Sequence, residues 1–337
     1  MTQLHSPAHY KREFPVSEKA RKVIRVSRNG IQDILDGKDD RLIVIVGPCS
    51  IHDPQGSGLE YAKHLAGILP RLSDRFLVVM RTFLEKPRTT IGWEGLVFDP
   101  RLTGDFDIAT GLAEARKFLL SVLELDVPTA TEFTDVLSPQ YLEDLVCWAA
   151  VGARSSEAQA YRTMASGLDV PVGFKNGTGG SVQLAVDGLV AASHPHAFLG
   201  ASEEGKVSQI RTQGNRSCHL VLRGSLTHGP NYGEKAVAAA LELLKKAGLV
   251  PRVMVDCSHG NSEKDPQKQA VVCRNVLAQR LAGNKGIIGF MVESNLFPGN
   301  QKLGNDPALL QYGVSITDAC IGWEETEALL LEAHDLP

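Results

Sequence analysis

The stretch Leu42–Asp53 reads LIVIVGPCSIHD. Five aliphatic residues in a row, Leu42 to Val46, predict a strand buried on both faces, the mark of a parallel sheet rather than a half-wet hairpin. Gly47 and Pro48 stop that strand. The chain then delivers a thiol (Cys49), a hydroxyl (Ser50), an imidazole (His52) and a carboxylate (Asp53). A lone cysteine in such a place is ordinarily inert packing. Here the pattern of an apolar strand ending in a reactive side chain recurs along the chain, and the repetition decides its reading.

Outward from Cys49, further short apolar strands are predicted at Phe76–Met80, Pro128–Thr131, Ala149–Ala153, Val172–Phe174, His219–Leu222, Val253–Asp256 and Ile287–Val292. Helical patterns separate them at Leu59–Leu69, Ile108–Leu123, Pro139–Cys147, Ser156–Ser166, Ser181–Ala192, Lys235–Ala247 and Pro266–Leu281, and a last helix, Thr317–His334, closes the chain. Two strands flanking Glu203-Glu204-Gly205 predict a hairpin inserted at about 196–211. Eight strands alternating with helices over about 250 residues predict an α/β fold, a (β/α)8 or TIM barrel. A doubly wound open sheet is the alternative, but no G-x-G-x-x-G follows the first strand. Residues 39–337 are assigned to the barrel and residues 1–38 to an extension. That extension is a polar arm through residue 16, then a helix capped by Ser17 and running to Leu35. It either plugs one end of the barrel or makes a subunit or regulatory contact.

The bulk properties exclude several classes. A net charge of −4 argues against nucleic-acid binding. No apolar run is long enough to span a bilayer, and the N-terminus lacks a signal-peptide core. Six scattered cysteines without a Cys-x-x-Cys pair predict a reduced, cytoplasmic enzyme rather than a disulfide scaffold or a membrane protein.

A barrel places its active residues at the C-terminal ends of its strands. Those ends carry Cys49, Arg81, Glu132, Arg154, Lys175, Arg223, His259 and Glu293. Cys49, His259 and Glu293 come from the first, seventh and eighth strands, which become neighbours when the barrel closes, and Asp318 can reach the same corner. One thiol, one imidazole and two carboxylates suit one borderline divalent metal ion (Mn2+, Fe2+, Co2+ or Zn2+) acting as a Lewis acid. Cys49 and His259 are expected on the rim rather than in the barrel core. The remaining ends are basic, joined by Lys86 and Arg88, which implies a small, multiply anionic substrate. Glu132 among them is placed to orient an arginine or a water. Asn176 to Gly180 can form an anion nest, a weak signal alone. Phosphorylated or carboxylated substrates with a Lewis acid suggest carbon–carbon bond formation onto an aldehyde.

Several longer motifs then carry a resemblance: GPCSIHD (47–53), MRTFLEKPRTTIGWEG (80–95), GARSSEAQAYR (152–162), PVGFKNGT (171–178), LRG (222–224), DCSHGNS (256–262), MVES (291–294) and SITDACIGWE (315–324). Together these resemble the type I, microbial class of 3-deoxy-D-arabino-heptulosonate 7-phosphate (DAHP) synthases, from about Asp39 to near the C-terminus. The resemblance implies condensation of phosphoenolpyruvate with erythrose 4-phosphate, the first step of the shikimate pathway to aromatic amino acids. It implies Cys49, His259, Glu293 and Asp318 as metal ligands and Cys49, Arg81, Lys86 and His259 as catalytic residues. Arg154, Arg223 and the backbone of Ala153 would hold the phosphoenolpyruvate phosphate. Arg81, Lys86 and Lys175 would face its carboxylate and the reacting centre, with Glu132 in the same subsite. Lys86, Pro87, Arg88, Thr89 and Asp318 would bind erythrose 4-phosphate.

The resemblance also implies a homodimer or homotetramer and an aromatic amino-acid inhibitor, in a cavity formed by Asp135, Pro139, Gln140, Asp169 and Phe198. Asp169 stands where phenylalanine- and tyrosine-sensitive members usually carry serine or glycine. Gly179 and the pair Ser155-Ser156 are further departures, and neither touches the ligand set. The runner-up is the related octulosonate 8-phosphate synthase acting on arabinose 5-phosphate, which carries a different sequence where this chain has Lys86 to Thr90. A Schiff-base aldolase with Lys175 as nucleophile would leave the metal set unexplained, and no desolvated pocket is expected around that lysine. A non-catalytic phosphometabolite-binding barrel would need neither Cys49 nor His259.

Overall fold

The computed structural model describes residues 2–336, so Met1 and Pro337, the outer ends of the two expected segments, lie outside the described residues. Eight parallel strands close a barrel: β1 (Leu42–Gly47), β2 (Phe76–Arg81), β3 (Thr129–Glu132), β4 (Trp148–Val151), β5 (Val172–Lys175), β8 (His219–Leu222), β9 (Val253–Asp256) and β10 (Ile287–Glu293). β10 pairs with β1 to shut the ring, Gly47 lying opposite Glu293. Every residue of these strands is buried, which explains their unbroken apolar runs: the inner face fills the barrel and the outer face meets helices.

The helices between strands are α3 (Ser57–Leu72), α4 (Ile108–Glu124), α5 (Ser138–Leu142), α6 (Gln159–Ala165), α7 (Gln183–Ala192), α8 (Glu234–Lys246) and α9 (Lys268–Leu281). The expected helix over Pro139–Cys147 is shorter. It gives way to a 3-10 turn at Glu143–Leu145, and Cys147 donates its amide to Thr129 O, joining the sheet. The last helix, α10 (Trp323–Asp335), starts later than Thr317. The residues before it lie beside the extension of β10, where Ile321 N donates to Glu293 O. That pairing holds Asp318 at the barrel mouth instead of in a helix.

The insertion is the antiparallel hairpin β6 (Ala197–Ala201) and β7 (Val207–Arg211). Of the N-terminal extension, α2 (Glu18–Asp36) begins as expected at a Ser17 cap and ends at Gly37 in the left-handed conformation. It lies across the N-terminal ends of the strands. Arg28 donates to Val146 O just before β4, and Arg252, just before β9, donates to Leu35 O. These bonds place α2 at that end of the barrel. The expected polar arm instead contains a second helix, α1 (Pro7–Glu13), capped by Ser6 with Pro7 in its first turn. α1 packs Tyr10 edge-on against Tyr141 and donates the Ala8 amide to Glu203 O, so it joins α5 to the hairpin turn.

Candidate active site

At the C-terminal mouth the strand ends converge as the barrel demands. A cleft there is lined by Arg81, Lys86, Pro87, Arg88, Glu132, Ala153, Arg154, Lys175, Arg223, His259 and Asp318, all expected, and by Lys264 and Thr317, which were not. Thr89 borders it by accepting from Arg154 Nε at 2.8 Å. Larger clefts of about 920 Å3 beside α2 and about 660 Å3 at the opposite end of the barrel are lined by charged groups but by no cysteine or histidine.

One corner is acidic and sulfur-bearing. The ligand atoms of Cys49, Glu293 and Asp318 lie within 4.8 Å of one another. His259 stands outside that trio, but its Nε2 is 3.8 Å from Glu293 Oε1 and 3.9 Å from Asp318 Oδ2. Its other nitrogen, Nδ1, is 3.0 Å from Asp256 Oδ2 without an aligned hydrogen bond. This is the outer-shell carboxylate that commonly orients a metal-binding imidazole. Arg81 and Lys86 already answer part of the negative charge on Glu293 and Cys49, and the mixed thiol, imidazole and carboxylate donor set fits a borderline divalent ion. The corner is deeper than a rim. Cys49 and Glu293 are fully buried, Cys49 against Lys86 from the loop after β2 and Glu293 between Arg81 and Ser258. Asp318 is open to solvent and His259 is half-buried, nearer the expected rim.

Burial pushes the Cys49 thiol up from its ordinary range, and Glu293 adds to the push. Burial would raise Glu293 as well, but His259 and Arg81 outweigh it and hold the carboxyl below its usual range. Arg81 is fully buried and commits its guanidinium to Pro48 O, Cys49 O and Glu293 Oε1 (2.8 Å). Ser258 Oγ donates to the other Glu293 oxygen at 2.7 Å.

The opposite wall is basic. Lys86 Nζ reaches Cys49 O (3.0 Å) and Cys49 Sγ (3.3 Å), bridging wall and corner. Lys175 Nζ sits 3.4 Å from both Glu132 and Asp256. Lys175 is only 3% exposed, so the expectation of no desolvated pocket around it is corrected: the barrel packs over it. Its ion pairs still count against an imine-forming role, since imine formation would strip two buried carboxylates of their partner. Glu132 fits because Gly152 has no side chain; a Cβ there would meet Glu132 Oε1 at 2.3 Å. Burial opposes its charge, but Lys175, Lys86 and Arg81 keep the carboxyl below its usual range.

Further out, Arg223 is held by its amide on Asn176 Oδ1, and Arg88 donates Nε to Trp93 O within its own loop. The nest expected at Asn176–Gly180 spends two amides on its own turn, Gly177 N on Ser181 O and Gly180 N on Gly177 O. Phe83, Asp256 and Ser258 were missed as site residues. The Phe83 ring lies 3.6 Å from the Arg81 guanidinium carbon, 5.6 Å from Lys86 Nζ and 5.4 Å from Lys175 Nζ, so one buried aromatic face serves three cations. A phenylalanine inside an apolar run carries no mark of that use. Asp256 closes a strand, as the other site residues do, and that signal was available.

The residues expected to form an inhibitor cavity lie away from this mouth. Pro139 is buried, Asp135, Gln140 and Phe198 are half-buried, and Asp169 is exposed. Asp135 Oδ1 accepts from the amides of Leu137 and Ser138, and Glu143 accepts from the Asp169 amide. Gln140 Oε1 is a buried acceptor without a protein partner.

Comparison with known proteins places this mouth in context. The family model described as "DAHP synthetase I family" matches residues 13–331. The chain is similar to the Tyr-sensitive phospho-2-dehydro-3-deoxyheptonate aldolase of Escherichia coli K12, 49% identical over 331 residues, 98% of this chain and 92% of that protein. It is equally similar to the Phe-sensitive enzyme of the same strain, 49% identical over 328 residues, 97% and 93% of the two chains. A solved phospho-2-dehydro-3-deoxyheptonate aldolase from Francisella tularensis SCHU S4 superposes with a TM-score of 0.96 at 41% identity, over 99% of this chain and 97% of that one.

Proposed function

The chain belongs to the DAHP synthetase I family, and on that premise we propose that it condenses phosphoenolpyruvate with erythrose 4-phosphate to DAHP and inorganic phosphate. One observation carries the proposal: the cation-lined cleft is also lined by Asp318 and His259, and the ligand atoms of the buried Cys49 and Glu293 lie within 4.8 Å of that of Asp318. The corner suits an aldehyde oxygen and the wall suits two phosphates and a carboxylate.

Cys49, His259, Glu293 and Asp318 are the residues that would hold a divalent ion, and such an ion supplies Lewis acidity toward a carbonyl oxygen. Arg154, Arg223 and the Ala153 backbone bind the phosphoenolpyruvate phosphate. Arg81, Lys86 and Lys175 face its carboxylate and the reacting carbons, with Lys86 Nζ next to the corner where the aldehyde arrives. Pro87, Arg88, Thr89 and Asp318 receive the aldose phosphate. The order of events follows from the substrates' chemistry. C3 of the enol phosphate attacks the aldehyde carbon, water adds at C2, and the C2–O bond to phosphate breaks. Glu132, kept as a carboxylate by Lys175, orients that water as an acceptor.

The unpaired Gln140 Oε1 supports a regulatory cavity for an aromatic amino acid at Asp135, Pro139, Gln140, Asp169 and Phe198. Asp169 adds an exposed negative charge there, so inhibition should differ from members carrying serine or glycine. A homo-oligomer with subunit contacts through α2 and the hairpin belongs to the same reading. Among the described residues no helix is long and apolar enough to cross a membrane, which accords with a cytoplasmic biosynthetic enzyme.

The substrate is tested by offering phosphoenolpyruvate with erythrose 4-phosphate or arabinose 5-phosphate and analysing the products. Condensation with erythrose 4-phosphate is expected. Preference for arabinose 5-phosphate would return the chain to the octulosonate reading.

A further inference from the structure

The loop that carries Lys86, Pro87, Arg88 and Thr89 is closed at a narrow neck. Lys86 N donates to Glu94 O at 2.8 Å, so the chain leaves and re-enters at one point. Gly95 (φ +112°) seals it: a Cβ there would lie 2.4 Å from Leu84 O and 2.7 Å from Glu85 Cα. Side-chain hydrogen bonds inside the loop are few, the Arg88 Nε–Trp93 O bond being one. Beside the Lys86–Cys49 contact, Glu85 ties this neck sideways to the barrel.

Glu85 is 1% exposed. Its Oε2 accepts three hydrogen bonds, from Thr134 N (2.8 Å), Thr134 Oγ1 (3.0 Å) and Asp135 N (3.1 Å), all just beyond β3. Among the described residues its buried Oε1 has no aligned hydrogen bond, although the Ser138 hydroxyl is near enough to favour the charged form. A buried carboxyl with one oxygen threefold bonded and the other without an aligned partner is expensive to keep where a neutral side chain could stand. Nothing in the chemistry described above uses it.

We propose that Glu85 is a positioning residue. Its hold on Thr134 and Asp135 fixes the neck of the substrate loop, and thereby sets Lys86 against Cys49 and Arg88 against the incoming aldose phosphate. The charged and titratable groups around it are Lys86 beside it in the chain, Asp135 across the hydrogen bonds, and Tyr161, whose hydroxyl donates to Thr134 O. Burial pushes its carboxyl up to about 7, against the pull of the Ser138 and Thr134 hydrogen bonds. The neutral acid is therefore well populated near neutrality, and Glu85→Gln copies its shape.

The inference rests on the proposed reaction, but its first readout does not. Hydrogen–deuterium exchange over residues 86–94 of the whole enzyme should quicken about tenfold in Glu85→Ala and stay near the wild-type rate in Glu85→Gln. Thr134→Val, which removes one donor and keeps the fold, should move exchange the same way by less. In turnover, Glu85→Ala should raise KM for erythrose 4-phosphate about tenfold with a smaller change for phosphoenolpyruvate, whose phosphate is held by other strands, and Glu85→Gln should restore most of it. Stability gives a third readout with a definite sign. A folded carboxyl titrating at about 7 against an ordinary 4.5 makes wild type lose stability relative to Glu85→Gln as pH rises between those values, and not beyond. Unchanged loop exchange in both Glu85→Ala and Thr134→Val would overturn the proposal. So would equal losses for both substrates without rescue by glutamine. A wild-type enzyme that fails to join the two substrates would instead overturn the reaction and leave the exchange result standing.

Discussion

The two sides of the cleft are built on opposite terms. In the corner of Cys49, Glu293 and His259, charge is sunk into the barrel and each group is answered by a near neighbour: Arg81 and Ser258 on Glu293, Asp256 on His259. On the outer wall, Arg88, Arg154 and Arg223 reach toward solvent, steadied at one or two atoms by Trp93, Thr89 and Asn176. The difference separates two jobs. Reacting groups need fixed geometry in a low dielectric, and strand ends supply it. Groups that capture a diffusing dianion need reach and open charge, and loops supply those.

If that division holds, damage should be graded by depth. Cys49→Ala or His259→Ala is expected to lower turnover about 10^3-fold or more and to reduce bound metal in parallel, while circular dichroism stays native. Near-normal turnover in either variant would break the comparison at its strongest point. Lys175→Met comes next. It leaves Glu132 and Asp256 facing each other without their shared cation. A loss of about 10^2–10^3-fold in turnover is expected, together with about 3–5 kcal/mol of stability by denaturant titration. A purely kinetic defect would show that Lys175 belongs with the outer wall.

Arg88→Ala sharpens the other side. Loss of a charged hydrogen bond to the aldose phosphate is worth about 1.5–3 kcal/mol, or about 10–100-fold in KM for that substrate. KM for phosphoenolpyruvate and the melting temperature should barely move, and steady-state kinetics with each substrate varied in turn reads the split. The smallest effect is expected farthest out. Asp169→Ser should alter the response to phenylalanine or tyrosine by a few fold, on the order of 1 kcal/mol, with uninhibited turnover intact. Identical inhibition curves for both forms would remove Asp169 from the regulatory reading.

The barrel could be read from the chain because parallel strands buried on both faces leave unbroken aliphatic runs, as in Leu42–Val46. The strand-end residues were readable for the same reason: a charge or thiol that stops such a run has only the barrel mouth to occupy. What escaped depends on contacts between distant segments. Nothing local marks Phe83 as the floor under three cations, or Glu85 as bonded to Thr134. The burial of Cys49 was missed because a residue just past a strand looks exposed until the loop folds over it. The helix α1 is a different kind of miss. Ser6-Pro7 is a cap followed by a first-turn proline, a local helix-start signal inside the stretch expected as a polar arm. The late start of α10 shows sheet pairing overriding helical pattern, since Ile321 N has a better partner in Glu293 O.

If corner and wall serve one reaction, phosphate release depends on both of them at once. Purified enzyme is stripped with EDTA, dialysed, and assayed for inorganic phosphate with phosphoenolpyruvate alone, erythrose 4-phosphate alone, and both together, before and after Mn2+ is restored. Release is expected only with both substrates present and only after a divalent ion returns. Release by the metal-free protein, or from phosphoenolpyruvate alone, would contradict it.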